Sequence, residues 1–277
     1  MENLLFGTAG TPLSSKGNDS LSGIKRVHEL GLGCMELEFV RGVKMGEKTA
    51  QKVGEIAKRL DIILSAHAPY YINLNGEDET LIKSRERIIN SARIGYICGA
   101  KSVVIHAGFI QDSGRRKVYE KIKKELIDIR EQLEKEDIDI ILRIETMGRY
   151  SQFGTLDEVL EITEVVGVLP CIDFSHLHAL TGKYNSREEF GMVLSKVEDR
   201  LGRFGLDNMH IHVSGIEYSE KGEKKHLVFS ESDFKYKELA QSFCDFDIRG
   251  MVISESPNLE ADAMALKKEY DMIKNQH

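Results

Sequence analysis

The chain has 277 residues, of which 41% are hydrophobic and 30% charged, a balance that can bury a large core beneath a polar surface. Its net charge of −7 argues against a protein that coats nucleic acid through bulk positive charge, although a few basic loops would still permit local contacts. Because no run approaches the ~18 apolar residues that span a bilayer, and the four cysteines lack Cys-x-x-Cys spacing, we expect a cytoplasmic protein with reduced thiols and no membrane partner.

Short apolar or β-branched runs alternate along the chain with segments of helical spacing. Apolar residues at intervals of three or four predict helices over 118–133 and 156–166. The runs that read as strands are residues 4–9, 34–39, 61–67, 101–107, 138–145, 168–174, 207–213 and 248–255.

Three helix starts can be read from local signals. Thr155 with Glu158, and Ser186 with Glu189, have the spacing of capping boxes, in which side chains satisfy the free amides of a first turn. Pro257 is expected at the first position of a helix, where a missing N–H costs no hydrogen bond.

The number of strands and their alternation with helices predict the architecture. Eight strands, each followed by a helix, with no linker or shift in composition, predict one (β/α)₈ TIM-barrel domain over residues 1–277. A doubly wound α/β sheet would give a similar string of elements.

Histidines and acids recur at the ends of the predicted strands, which in a barrel meet at one rim. These side chains are nitrogen and oxygen ligands suited to Zn²⁺, Mn²⁺ or Fe²⁺. A single histidine in such a place is more often a hydrogen-bonded core residue, but here seven of the nine histidines fall on one face. The site candidates are His67, His106, Glu145, Asp173, His176, His210, His212, His226 and Glu255, whereas the seventh histidine, His178, is interpreted as a structural residue.

Taken together, these segments resemble the endonuclease IV family, abasic-site DNA repair enzymes among the xylose-isomerase-like TIM barrels. The resemblance runs from near residue 5 to about residue 260. It is carried by residues 65–74 (SAHAPYYINL), 104–108 (VIHAG), 144–146 (IET), 171–176 (CIDFSH), 209–210 (MH) and 253–257 (ISESP).

The resemblance implies two or three bound metal ions, most simply Zn²⁺. It places His67, His106 and Glu145 on the first, and His176 and His226 on the third. The second would be held by Glu145, Asp173, His210 and Glu255.

The third site departs from the family pattern, which has an aspartate two residues before the last histidine. That position holds Lys224 here, with Glu223 beside it. Either Glu223 fills the role through a small loop shift, or the third site is weaker or absent.

The activity that the resemblance implies is hydrolysis of the phosphodiester 5′ to an abasic site in double-stranded DNA, by a monomer. Glu145, bridging two metals, and Glu255, orienting the nucleophile, would be catalytic. Four residues are assigned to the substrate: Arg41, Tyr70 and Tyr71 in loops at the rim, and His212 on the same strand face as His210.

Two alternatives are open at this point. A single-metal sugar isomerase or epimerase of the same superfamily needs only Glu145, Asp173, His210 and Glu255, with carboxylates that move a proton beside a carbonyl. A protein that binds DNA lesions without cleaving them is suggested by Lys224. The additional histidines favour the nuclease.

Overall fold

Eight parallel strands close into a barrel in the computed structural model, which describes residues 3–112 and 114–276. The barrel strands are β1 (Leu4–Ala9), β2 (Cys34–Glu38), β3 (Ile63–His67), β4 (Ser102–Ile105), β5 (Ile141–Glu145), β6 (Leu169–Asp173), β7 (Met209–Val213) and β10 (Gly250–Ser254). Neighbours around the barrel follow the order β1-β10-β7-β6-β5-β4-β3-β2, and β2 pairs with β1 to close it.

Helices surround the barrel and connect successive strands. Their apolar faces pack on the strands and form a continuous core. The helices are α1 (Ser20–Glu29), α2 (Glu47–Arg59), α3 (Asp78–Ile97), α4 (Arg115–Lys135), α5 (Leu156–Val166), α6 (Phe174–Thr181), α7 (Arg187–Asp207), α8 (Tyr236–Asp245) and α9 (Glu260–Lys274). Within residues 3–112 and 114–276, no helix is long and apolar enough to cross a membrane.

The TIM-barrel prediction is confirmed, and each predicted strand overlaps one barrel strand. The two helices predicted from periodicity correspond to α4 and α5. The capping box at the start of α5 is complete, because Thr155 accepts from the amide of Glu158 and the Glu158 carboxylate accepts from the amide of Thr155. At α7 only half of it forms: Ser186 accepts from the amide of Glu189, while the Glu189 carboxylate accepts from the amide of Asn185.

The prediction for Pro257 is wrong. Helix α9 begins at Glu260, because residues 256–259 first form a turn in which the amide of Leu259 donates to the carbonyl of Ser256 at 2.8 Å.

An antiparallel hairpin between β7 and α8 was not predicted from the sequence. It consists of β8 (Gly215–Ser219) and β9 (Gly222–Leu227), and it stands at the carboxyl end of β7. Loops at the carboxyl ends of barrel strands form the functional face of this fold. The hairpin therefore adds side chains to that face.

Candidate metal centre

The predicted ligands converge at the carboxyl-terminal mouth of the barrel. His67, Glu145 and Asp173 are the last residues of β3, β5 and β6, while His106 directly follows β4. They surround or underlie a cavity of about 350 Å³, which we call the mouth cavity. Its walls are formed by Glu38, Val40, His67, Tyr70, His106, Phe109, Glu145, Met147, Arg149, Gln152, His176, Glu223, His226 and Glu255.

One carboxylate oxygen of Glu145 faces two imidazoles. Its Oε2 lies 3.1 Å from Nε2 of His67 and 2.9 Å from Nε2 of His106. Nδ1 of His67 donates to the carbonyl of Ala68 at 2.7 Å, so a neutral His67 presents a lone pair to that oxygen. A proton or a metal ion must occupy the space between them. Although burial opposes it, the contact with Glu145 raises the pKa of His67 to about 10.

Beneath the cavity, a second group brings three carboxylates to one histidine. Ligand atoms of Glu145, Asp173, His212 and Glu255 all lie within 4.8 Å of one another. Burial, together with the nearby negative charge of Glu255 and Glu145, raises the pKa of Asp173 to about 6.

This second group fits a divalent cation. Among the described residues, Oε1 of Glu145, Oδ2 of Asp173 and Nδ1 of His212 are buried and find no hydrogen-bond partner. Buried acceptors without donors are costly unless a cation satisfies them. The two oxygens of Glu145 face different ligand groups: Oε2 faces His67 and His106, whereas Oε1 lies 3.6 Å from Nδ1 of His212.

His210 and His212 lie at different depths in the barrel. Both side chains face the barrel interior, because residues two apart on a strand point to the same side of the sheet. His212 pairs in register with Asp173 at the rim, whereas His210 lies one layer deeper, 3.3 Å from the hydroxyl of Ser102 at the start of β4. Burial lowers the pKa of His210 to about 4. The structure therefore brings His212, and not His210, to the carboxylates of Glu145, Asp173 and Glu255.

A third group lies beside the first two. Nε2 of His176 and Nε2 of His226 are 3.5 Å apart, and the carboxylate of Glu223 lies 3.6 Å from the former and 3.9 Å from the latter. Nδ1 of His176 is 3.0 Å from the carbonyl of Thr146, and Nδ1 of His226 is 3.3 Å from the carbonyl of Glu255. Donation to these carbonyls leaves two Nε2 lone pairs facing one another, an arrangement that a metal ion would stabilise.

A β-bulge explains how Glu223 reaches this third group in place of residue 224. In the hairpin, Glu217 pairs with Lys225 and Tyr218 pairs with Glu223, so Lys224 is the extra residue of the bulge. The extra residue turns Glu223 inward. Lys224 is exposed, and its Nζ lies 3.4 Å from a carboxylate oxygen of Glu217.

The residues assigned to the substrate lie in different environments. Tyr70 lines the mouth cavity and is 56% exposed. Tyr71 packs instead under Arg87, whose guanidinium carbon lies 4.3 Å from the centre of the Tyr71 ring. Such a contact is expected for a residue that supports a loop. Arg41 is exposed in the loop after β2 and does not line the cavity.

Several residues at the centre were missed in the sequence. Glu36 and Glu38 lie on the inward face of β2, and burial raises the pKa of Glu38 to about 8. The sequence did contain a signal for them, because two acids two residues apart stand in an otherwise apolar strand. Arg149 gave no such signal; its Nε donates to the carbonyl of Glu223 at 3.0 Å and its side chain lines the cavity.

We expect the apparent affinity for Zn²⁺ to rise as the pH increases from about 6 to about 8, because the metal must displace protons from its ligands. His67, with a pKa of about 10, and Asp173, with a pKa of about 6, hold such protons in the metal-free protein. Calorimetric titration with Zn²⁺ in two buffers of different ionisation enthalpy should reveal proton release. Equal heats in both buffers would contradict the assignment.

The stability of the metal-free protein should change in the opposite direction. The folded pKa of His67, about 10, lies above the ordinary value of about 6.5 for an unfolded chain. Its contribution is therefore complete below the unfolded value and is lost as the pH rises through the folded one. The free energy of unfolding in urea should thus be lower at about pH 9 than at about pH 7 without metal.

Comparison with family models matches residues 24–276 to a family described as a xylose isomerase-like TIM barrel. The uncharacterized protein MJ0133 of Methanocaldococcus jannaschii is 44% identical over 272 residues, which cover 98% of each chain. A probable endonuclease 4 of Streptomyces avermitilis is 31% identical over 149 residues, or 49% of this chain and 47% of that protein.

Solved structures of two kinds share the fold. Endonuclease IV from Thermus thermophilus superposes with a TM-score of 0.74 at 17% identity, over 98% of this chain and 100% of that one. A D-tagatose 3-epimerase-like protein superposes with a TM-score of 0.69 at 21% identity, over 93% of this chain and 97% of that one. At such identities these likenesses establish the barrel and leave the reaction to be argued from the metal centre.

Proposed function

The chain belongs to the family of xylose isomerase-like TIM barrels, and from its metal centre we propose that it is a DNA repair endonuclease. The reaction is hydrolysis of the phosphodiester 5′ to an abasic site in double-stranded DNA, leaving a 3′-hydroxyl. The observation that carries the proposal is the position of Glu145 between two pairs of histidines. His67 and His106 face one of its oxygens, and His176, with His226 beyond it, faces the other.

Three groups of residues would hold two or three ions, of which Zn²⁺ is the first choice and Mn²⁺ or Fe²⁺ the others. His67, His106 and Glu145 form the first group. The second consists of Glu145, Asp173, His212 and Glu255, and the third of His176, Glu223 and His226. When bound, such ions supply a water of lowered pKa and positive charge for the phosphate oxygens.

The chain's own residues position the substrate and a water. Glu255 reaches two ligand groups, since its carboxylate lies 3.4 Å from Nδ1 of His212 and 3.8 Å from Nδ1 of His226. We assign it to orienting the attacking water. Arg149, at the cavity wall, would contact a phosphate. Tyr70 and Phe109, both partly exposed there, offer faces on which bases beside the lesion can stack.

We place the protein in the cytoplasm as a monomer. All four cysteines are free thiols, as expected for a reducing compartment.

The proposal is tested with a duplex that carries one tetrahydrofuran abasic analogue, incubated with and without Zn²⁺ or Mn²⁺. We expect metal-dependent incision 5′ to the analogue, with a product that a DNA polymerase can extend, and loss of incision with a chelator. An undamaged duplex of the same sequence is the control and should stay intact. Binding to the analogue without incision at any metal concentration would indicate a lesion-binding protein.

A sugar epimerase is the second candidate. The group formed by Glu145, Asp173, His212 and Glu255 would by itself hold a single metal between carboxylates, which suits proton transfer beside a carbonyl. One bound ion per chain, with interconversion of ketohexoses and no incision of DNA, would establish this alternative. The histidines on either side of Glu145 have no role in it.

A further inference from the structure

A carboxylate is buried in the barrel directly beneath the metal centre. Glu36 of β2 is fully buried, and its Oε1 lies 2.9 Å from Nε2 of His212. Its Oε2 accepts from the hydroxyl of Ser65 at 2.7 Å and lies 3.0 Å from Nε2 of His210. Glu36 therefore contacts the ring of His212 on the side opposite the ligand group.

The surroundings of Glu36 inside the barrel are polar. Besides facing the two imidazoles, its carboxylate accepts from the hydroxyl of Ser65. Arg143, also buried inside the barrel, adds a positive charge that interacts with Glu36. Glu36 thus places a buried carboxylate against the back of His212.

We propose that Glu36 is a positioning residue that makes His212 a metal ligand through Nδ1. Oε1 of Glu36 and Nε2 of His212 are 2.9 Å apart and buried with no other hydrogen-bond partner among the described residues, so they can satisfy one another only if the ring carries its proton on Nε2. Nδ1 is then free of a proton, 3.6 Å from Glu145 and 3.4 Å from Glu255. Carboxylates that orient histidine ligands from behind also raise their basicity. From the proposed function, the inference takes only one part: that the second ligand group binds a metal ion.

An alternative interpretation is that Nε2 of His212 binds a second, deeper metal ion and does not pair with Glu36. Ligand atoms of Cys171, His210 and His212 also lie within 4.8 Å of one another. A dication there would take Nε2 of His212 away from Glu36 and would add positive charge beside Arg143, which already offsets Glu36. The charges inside the barrel therefore favour the positioning role.

The first test uses the wild-type protein loaded with Zn²⁺ and no DNA. Nuclear magnetic resonance of ¹⁵N-labelled histidines should show, for His212, a proton on Nε2 and the metal on Nδ1. The opposite assignment would overturn the inference even if every substitution at Glu36 prevented folding.

The second test is Glu36→Gln, with Zn²⁺ affinity measured by competition with a chromophoric chelator. We expect affinity at the second group to fall about 10- to 100-fold, the range typical of such partners, and Glu36→Asp to restore part of it. The control is Glu125→Gln, which removes a buried carboxylate on α4 that pairs with Arg85; neither residue lines the mouth cavity. It should lower the thermal midpoint and leave Zn²⁺ affinity unchanged. Unchanged affinity in Glu36→Gln would overturn the inference.

Cys171→Ser separates the two uses of these atoms. The number of bound Zn²⁺ ions should be the same as in the wild type, and the loss of one ion would establish the deeper site instead. Because none of these measurements involves DNA, a protein that shows the expected zinc binding but incises no abasic duplex would overturn the proposed function alone.

Discussion

Glu145→Gln should reduce incision of abasic DNA by about 10³-fold or more, because one carboxylate serves two ligand groups. Oε2 of Glu145 lies against His67 and His106, while Oε1 lies against His176. A glutamine keeps the shape but loses the negative charge, and its amide nitrogen cannot coordinate a cation. Incision rates under single-turnover conditions and metal content by mass spectrometry would measure the loss.

Two observations separate a defect in the centre from a defect in folding. Circular dichroism of Glu145→Gln should match that of the wild type, and Glu125→Gln on the outer helical layer should incise normally. If Glu145→Gln incised DNA at the wild-type rate, the activity would come from a contaminant or the centre would lie elsewhere.

The barrel and the rim could be predicted because both depend on local patterns. Each strand is a short apolar run, and each ligand such as His67 or Asp173 lies at a strand end, where chain order alone specifies its place on the rim. The contacts on both sides of Glu145 follow once the strands are in register. No long-range information beyond barrel closure was needed for these residues.

The remaining features depend on depth and on contacts between distant segments. His210 and His212 share one strand face, so periodicity cannot say which of them reaches the rim; the pairing of His212 with Asp173 decides it. Glu36 gave only the signal of an acid inside an apolar strand, and its contact with His212 crosses the barrel. The resemblance to a known family did not help there, since none of its motifs includes residue 36.

The hairpin shows why spacing can mislead at the third group. By simple alternation, an acid facing the same way as His226 belongs at position 224, where the chain has a lysine. The bulge at Lys224 shifts the alternation by one residue, so Glu223 takes that face. A β-bulge is defined by pairing with the opposite strand, here β8, and the sequence of β9 alone does not reveal it.

Because the bulge turns Glu223 toward the third group, we expect a large effect on metal binding and incision from Glu223→Ala. This substitution should lower the metal content by one ion per chain and slow incision about 10²-fold, since the third group loses its only carboxylate. Lys224→Ala, one residue away, should retain the metal content of the wild type, because the side chain of Lys224 is exposed and pairs with Glu217. Metal content by mass spectrometry distinguishes the two variants without reference to DNA binding.

Deleting Lys224 provides a sharper form of the same test. Without the extra residue, β9 can pair regularly with β8, and Glu223 then stands two residues before His226, on the same strand face. The deletion should therefore keep the third ion although it shortens the hairpin, whereas most single deletions within a paired strand would reverse the direction of the side chains beyond it. The wild-type number of ions in Glu223→Ala, or one ion fewer in the deletion variant, would show that the bulge does not select the carboxylate of the third group.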